Sequence, residues 1–145
     1  MAQLITLAEA KEFLKIDFND EDALLDRLIT QATVIMQRKY QRDLIQATYT
    51  DEEYNGEGHD LLFVRNFPIQ TVTSLKVNDV ALAPSEYTVS KSTGIIKRRS
   101  GYFPEGWGNI KVSYTGGFPP DDPALESFKN ECLLLVADLF EGRGA

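Results

Sequence analysis

Few side chains in this sequence are of a type that does chemistry, and their spacing brings none of them together. His59 is the only histidine and Cys132 the only cysteine among 145 residues. A histidine can act as general base or metal ligand, but His59 stands in the polar loop Asn55–Asp60, with no orienting partner near it in the chain. It reads as a solvated loop residue. Cys132 could be a nucleophile served by His59, yet it falls on the apolar stripe of a C-terminal helix. Burial there raises a thiol pKa and leaves it inert, so a core cysteine is expected. A structural zinc site takes about four nitrogen or sulfur ligands, more than one His and one Cys supply. Gly56-Glu57-Gly58 lacks the third glycine and following helix of a dinucleotide loop, and there is no phosphate-binding G-x-x-x-x-G-K-[ST] run. Asp20-Glu21-Asp22 and Asp51-Glu52-Glu53 could hold a divalent ion. The first is more simply the acidic start of a helix, and the second a solvated strand edge kept from aggregating by like charge. The expectation is a protein with no catalytic residues, no cofactor and no metal site. The rival reading is a small hydrolase or metal-binding enzyme built on His59. Lys97-Arg98-Arg99 is the one contiguous basic run, a candidate contact for phosphate or an acidic partner.

Composition is that of a globular chain, 43% hydrophobic and 26% charged, of a length suited to one domain. No apolar run approaches the ~20 residues of a bilayer span. The opening Met1-Ala2-Gln3-Leu4 has no basic region followed by an apolar one, so no secretory leader is expected. A single cysteine fits a reducing compartment. A net charge of −7 argues against gripping nucleic-acid phosphates but suits a protein lying beside DNA, since an acidic wall repels the backbone.

The elements that would position these residues divide into helical ends and a strand-rich middle. Thr6-Leu7-Ala8-Glu9 has the T-x-x-E spacing of a capping box, and Leu7, Ala10 and Leu14 recur at helical spacing, predicting a helix over about 7–15. A longer helix over about 20–43 follows, with caps and acids at Asn19–Asp22, a stripe of Leu25, Leu28, Ile29, Ala32, Ile35 and Met36, and Arg38, Lys39 and Arg42 near its end. From about 46 to 116 short β-branched and aromatic runs alternate with turn signals. This predicts five to six antiparallel strands without crossover helices, with a tight hairpin at Asn78-Asp79. After Gly116-Gly117-Phe118-Pro119-Pro120, Asp122 caps a last helix over about 122–141, Pro123 takes its first position, and Gly142 terminates it. The predicted class is α+β, with the C-terminal helix packed on the long one.

Some apolar side chains have no place in this scheme. Leu134 falls among Ser127, Glu131, Asp138 and Glu141 on the polar face of the last helix, while Leu133, Ala137 and Phe140 widen its apolar arc. Val34 lies opposite the stripe of the long helix, among Arg27, Thr30, Gln37, Arg38 and Gln41. Trp107 sits between Gly106 and Gly108 in a long loop. Helix faces of this kind need cover on more than one side, often from another subunit, and exposed tryptophan is a frequent interface anchor. Val34, Trp107, Leu133, Leu134, Phe140 and Arg143 are therefore the candidate interface residues.

The order of these signals resembles a known family. Leu4-Ile5-Thr6-Leu7-Ala8-Glu9-Ala10-Lys11-Glu12-Phe13-Leu14-Lys15-Ile16-Asp17, with the Asn19–Asp22 helix start, is similar to the N-terminus of phage head–tail connector proteins. These are the adaptor or head-completion subunits of tailed phages and prophages. Phe67-Pro68-Ile69-Gln70-Thr71-Val72-Thr73-Ser74-Leu75 resembles that family's entry into a strand. Val112-Ser113-Tyr114-Thr115-Gly116-Gly117-Phe118-Pro119, followed by the helix ending Leu135-Val136-Ala137-Asp138-Leu139-Phe140-Glu141, resembles its close. The resemblance implies a non-enzymatic structural protein of the virion neck, made in the bacterial host cytoplasm. It would form a homo-oligomeric ring, dodecameric on the portal, with a head-closure or tail protein below, and DNA would pass through without sequence-specific binding. A head-closure or tail-completion protein of the same neck is the near alternative. In the family the segment after the last helix engages the portal. Only Gly142–Ala145 follow here, which implies docking through the helix end or loops.

Overall fold

The computed structural model describes residues 3–142. They form two compact units, residues 3–45 with 119–142 and Gln46–Phe118, one helical and one built of strands.

The helical unit opens with α1, Leu7–Leu14. Its capping box is made as expected, with Glu9 N–H donating to Thr6 Oγ1 at 3.1 Å and Thr6 N–H to Glu9 Oε1 at 2.9 Å. It ends where Lys15 turns left-handed at φ 59°. Helix α2 spans Asp22–Tyr40, shorter at both ends than its periodicity predicts. Gln41 adopts φ 56° and returns its N–H to Gln37 O, which satisfies an orphan carbonyl and stops the helix before Asp43. At the other end Glu21 is the N-cap and makes no side-chain capping bond. Asp22 instead reaches Lys11 at 2.9 Å and so links the two helices. Helix α3, Pro123–Gly142, starts with Ala124 N–H donating to Asp122 Oδ1 at 2.9 Å. Gly142, expected to terminate it, is itself helical.

Helix α3 packs on α2 as predicted. The Tyr40 ring meets Phe128 edge-on at a centroid distance of 4.9 Å, a favoured aromatic geometry. The buried stripe of α2 is Leu25, Leu28, Ile29, Ala32, Thr33 and Met36. Thr33 takes the inward place that Ile35 was expected to fill, and Ile35 is left 37% exposed. A threonine is tolerated there because its hydroxyl is used twice. It donates to Ile29 O at 2.8 Å and accepts Leu4 N–H at 3.1 Å, so the buried hydroxyl has its partners.

The second unit has seven strands in two antiparallel sheets rather than the five to six expected. One has the order β1-β7-β3-β4, the other β2-β6-β5. In chain order they are β1 Ala47–Tyr54, β2 Leu61–Phe63, β3 Ile69–Val77, β4 Val80–Ala81, β5 Tyr87–Ser90, β6 Ile95–Arg98 and β7 Ile110–Gly116. Strand β4 is not among the runs read from the sequence because two residues of strand carry no readable alternation, and with the predicted β3 it closes a hairpin. Its turn is as predicted: Asn78 and Asp79 have φ 50° and 65°, the two left-handed residues that a type I′ hairpin requires. Central β7 alternates strictly, burying Ile110, Val112 and Tyr114. These join Leu62, Val64, Ile69, Leu75, Tyr87, Ile96 and Phe103 in one core.

Strand β1 does not run as a plain edge. Its pairing with β7 slips between Tyr49 and Glu52, and Asp51 takes φ 49°, a bulge that re-aims the following side chains. The acidic run was read as solvated throughout, but the bulge turns Glu52 inward. Its Oε1 accepts the hydroxyls of Tyr114, at 2.6 Å, and of Tyr54. Only Asp51 and Glu53 stay exposed.

Candidate interaction surfaces

Neither His59 nor Cys132 meets the needs of catalysis. Cys132 is fully buried, and burial pushes its thiol up to about 11 despite a hydrogen bond with Thr33, so thiolate is scarce at neutral pH. Both ring nitrogens of His59 are engaged by its own loop, Nε2 with Glu57 Oε2 at 3.2 Å and Nδ1 with Leu61 N–H at 3.3 Å. A cleft of about 190 Å³ beside it is lined by Tyr54, Leu61, Phe63, Phe103 and Ile110. Among the described residues no three His, Cys, Asp or Glu side chains gather as a metal site, and no helix is long and apolar enough to cross a membrane.

The features that stand out are exposed apolar side chains. On α3, Leu134 is 59% exposed, because its position among Glu131 and Asp138 faces away from the buried Leu125, Cys132 and Val136. Together with Ile35 and Met36 of α2 and Leu135 it lines a groove of about 280 Å³, rimmed by Lys39, Glu131 and Asp138. That rim is itself organised. Glu131 accepts Lys39 Nζ at 3.0 Å and the Tyr40 hydroxyl at 2.8 Å. These bonds hold the Glu131 carboxyl below, and Lys39 above, their ordinary values. Ile35 was read as core in the sequence, and it is the residue that widens the groove. The signal for it was present in Thr33, the only buried polar residue of the stripe.

A second groove lies between α1 and α3, lined by Glu9, Glu12, Phe13 and Leu133. Phe13 is 44% exposed and was not among the sequence candidates, since one aromatic at the end of an eight-residue helix leaves no periodic trace. Lys129 of α3 bridges to Glu9 at 3.1 Å. Burial works to raise the Glu9 carboxyl, but bonds from Thr6 and Lys129 outweigh it and hold the group below its ordinary value. Val34 and Phe140 are only partly exposed. Arg143 lies outside the described residues.

In the strand unit Trp107 is 93% exposed, on a loop fixed from beneath. Gly108 N–H donates to Asn55 Oδ1 at 2.7 Å, Gly56 N–H to Asn109 Oδ1 at 2.9 Å, and Asn109 Nδ2 to Pro104 O at 2.8 Å. A Cβ on Gly56 would stand 1.7 Å from Pro104 O, so only glycine lets the two strands of this loop approach. The basic run is divided by its setting. Lys97 reaches Asp60 only at 3.9 Å. Arg98 donates from Nη1 to Tyr102 O at 2.8 Å and lies over the Phe103 ring, so it serves the loop. Arg99 is exposed.

The comparisons with known proteins accord with a molecule whose surfaces matter more than any cleft. No curated protein matches the sequence. Among solved structures the fold is similar to a chain of the neck of an empty gene transfer agent (GTA) particle computed with C6 symmetry, at TM-score 0.74 and 19% identity, covering 95% of this chain and 78% of that one. A chain of the native GTA virion matches at TM-score 0.66 and 19% identity over 95% and 78% of the two chains. One from the native neck computed with C12 symmetry matches at 0.66 and 19% over 93% and 75%. At these identities the likeness is one of fold. The family model described as "Head completion protein" matches residues 3–140. The chain belongs to the head completion protein family, and its role is structural, in completing the virion head.

Proposed function

We propose that the protein is one subunit of an oligomeric ring in the virion neck. The ring docks on the portal, extends the DNA channel towards the tail and receives a head-closure or tail protein on its far side. The observation that carries this reading is the Ile35–Leu134 groove, an apolar strip that a monomer gains nothing by exposing. Family membership supports it, as does the likeness of fold to neck chains in particles computed with C6 and C12 symmetry. The helical and strand units together make one connector domain, and the ring has twelve copies when assembled. Leu134, Leu133, Val34, Phe140 and Trp107 contribute to contacts with neighbouring subunits or the portal, as does Arg143. Rings arise from head-to-tail contacts in which one patch meets a different patch on the next copy, and two units with separate exposed apolar sites supply both halves.

The protein works without catalysis or cofactor. The net charge of −7 suits a wall past which DNA slides without being held. A head-closure or tail-completion protein of the same neck differs only in which neighbour it touches.

The test is mass measurement of the full chain alone, with purified portal and with virion heads lacking it. Ring-sized assemblies, in solution or on the portal, are expected. A chain that stays monomeric and binds neither portal nor heads overturns the reading.

A further inference from the structure

Two charged side chains of opposite sign, one in each unit, have no ion pair among the described residues and lie close in sequence to an exposed aromatic residue. Glu12 is exposed next to Phe13 in the α1–α3 groove, of about 350 Å³. Its neighbour Glu9 is already paired with Lys129. In the strand unit Arg99 is exposed just after β6, three residues before Tyr102, which is 67% exposed. The turn between them is fixed. Arg99 N–H donates to Glu86 O at 2.9 Å, Gly101 adopts φ 84°, and Arg98 clamps the Tyr102 carbonyl at 2.8 Å. A turn held in this way loses little entropy on docking.

We propose that the Arg99–Tyr102 turn of one copy docks in the Phe13–Leu133 groove of the next, with Arg99 facing Glu12. The inference rests on the ring reading and names one contact within it. The occupant is a second copy because the chain carries both halves of a complementary pair. The groove is rimmed by two glutamates, one already neutralised, and the turn offers Arg99 with Lys97 only weakly engaged by Asp60. The contact is heterologous, helical unit to strand unit, as a ring requires. Copies of a chain with net charge −7 repel at long range, so a local pair of opposite charges fixes register and favours encounter.

The experiment exchanges the charges in the full-length protein and follows assembly by mass measurement, in solution and on heads lacking it. Arg99→Glu and Glu12→Arg should each weaken association by about tenfold or more, and the double exchange should recover most of the loss. Lys91→Glu changes net charge as much as Arg99→Glu does, away from the turn, and should associate as wild type does. Circular dichroism checks folding, and if a charge reversal disturbs it, Arg99→Gln and Glu12→Gln give the same order with smaller losses. Single exchanges that assemble normally overturn the proposal. So do singles that fail without rescue in the double exchange, which assigns the two patches to other partners. A wild-type chain that assembles nowhere overturns the ring reading itself, and this contact with it.

Discussion

The hydroxyl of Tyr114 on β7 donates a 2.6 Å hydrogen bond to the carboxylate of Glu52 on β1. Tyr49 stacks on the same ring at 5.0 Å, and Asn66 Nδ2 donates to the Tyr114 oxygen at 3.1 Å and to Glu52 Oε2 at 3.3 Å. The bulge at Asp51 makes this network, because without the register slip Glu52 would face solvent.

Tyr114→Phe should therefore destabilise the strand unit by about 1–3 kcal/mol, since Glu52 loses a donor while partly buried. Burial first, and then the bond to Glu52, push the Tyr114 hydroxyl far above the usual tyrosine range. The folded form thus keeps a proton that the unfolded chain releases, and this stabilisation is present in full below the ordinary value of about 10 and lost as pH rises beyond it. Alkaline denaturation followed by tyrosine absorbance should show Tyr114 ionising only with unfolding, and Tyr114→Phe should flatten the loss of stability above about pH 10 while starting from a lower stability.

Acid should loosen the helical unit for the opposite reason. Glu131 is held below its ordinary value by hydrogen bonds from Lys39 and Tyr40, and Glu9 lies below its own despite burial. Their contribution is present above the ordinary carboxylate range and lost as pH falls through the depressed folded values. Helical circular dichroism should decline below about pH 4, and Glu131→Gln should flatten that decline while lowering stability at neutral pH.

Cys132 should resist modification. With a fully buried thiol raised to about 11, native protein should react with a thiol reagent only as fast as it opens, and denaturant should release rapid labelling of one group. Labelling at the rate of a free thiol would contradict the buried placement.

Leu134→Asp should leave thermal stability within about 0.5 kcal/mol, as for exposed positions generally, and reduce assembly. Trp107→Ala should do the same, at a cost of about 2 kcal/mol or more if it is an interface anchor. Differential scanning calorimetry and mass measurement separate the two effects. A Leu134→Asp monomer that unfolds would place Leu134 in the core.

By itself the sequence determined the elements and their class. The capping box at Thr6–Glu9, the Asp122–Pro123 helix start and the Asn78–Asp79 turn each depend on neighbours within a few residues, so local chemistry suffices to read them. Leu134 was legible for the same reason, since helical periodicity places one residue on a face without reference to anything else. Family-like motif order was visible along the whole chain, and it named the structural role. Only the tertiary structure decided which way Glu52 points, that Thr33 rather than Ile35 faces inward, and that Arg98 and Arg99 have different surroundings. A bulge shifts a side chain to the other face by one residue of register, and a hydroxyl becomes acceptable in a core only when a distant amide such as that of Leu4 arrives to meet it. Both depend on partners far away in sequence, which no local pattern encodes.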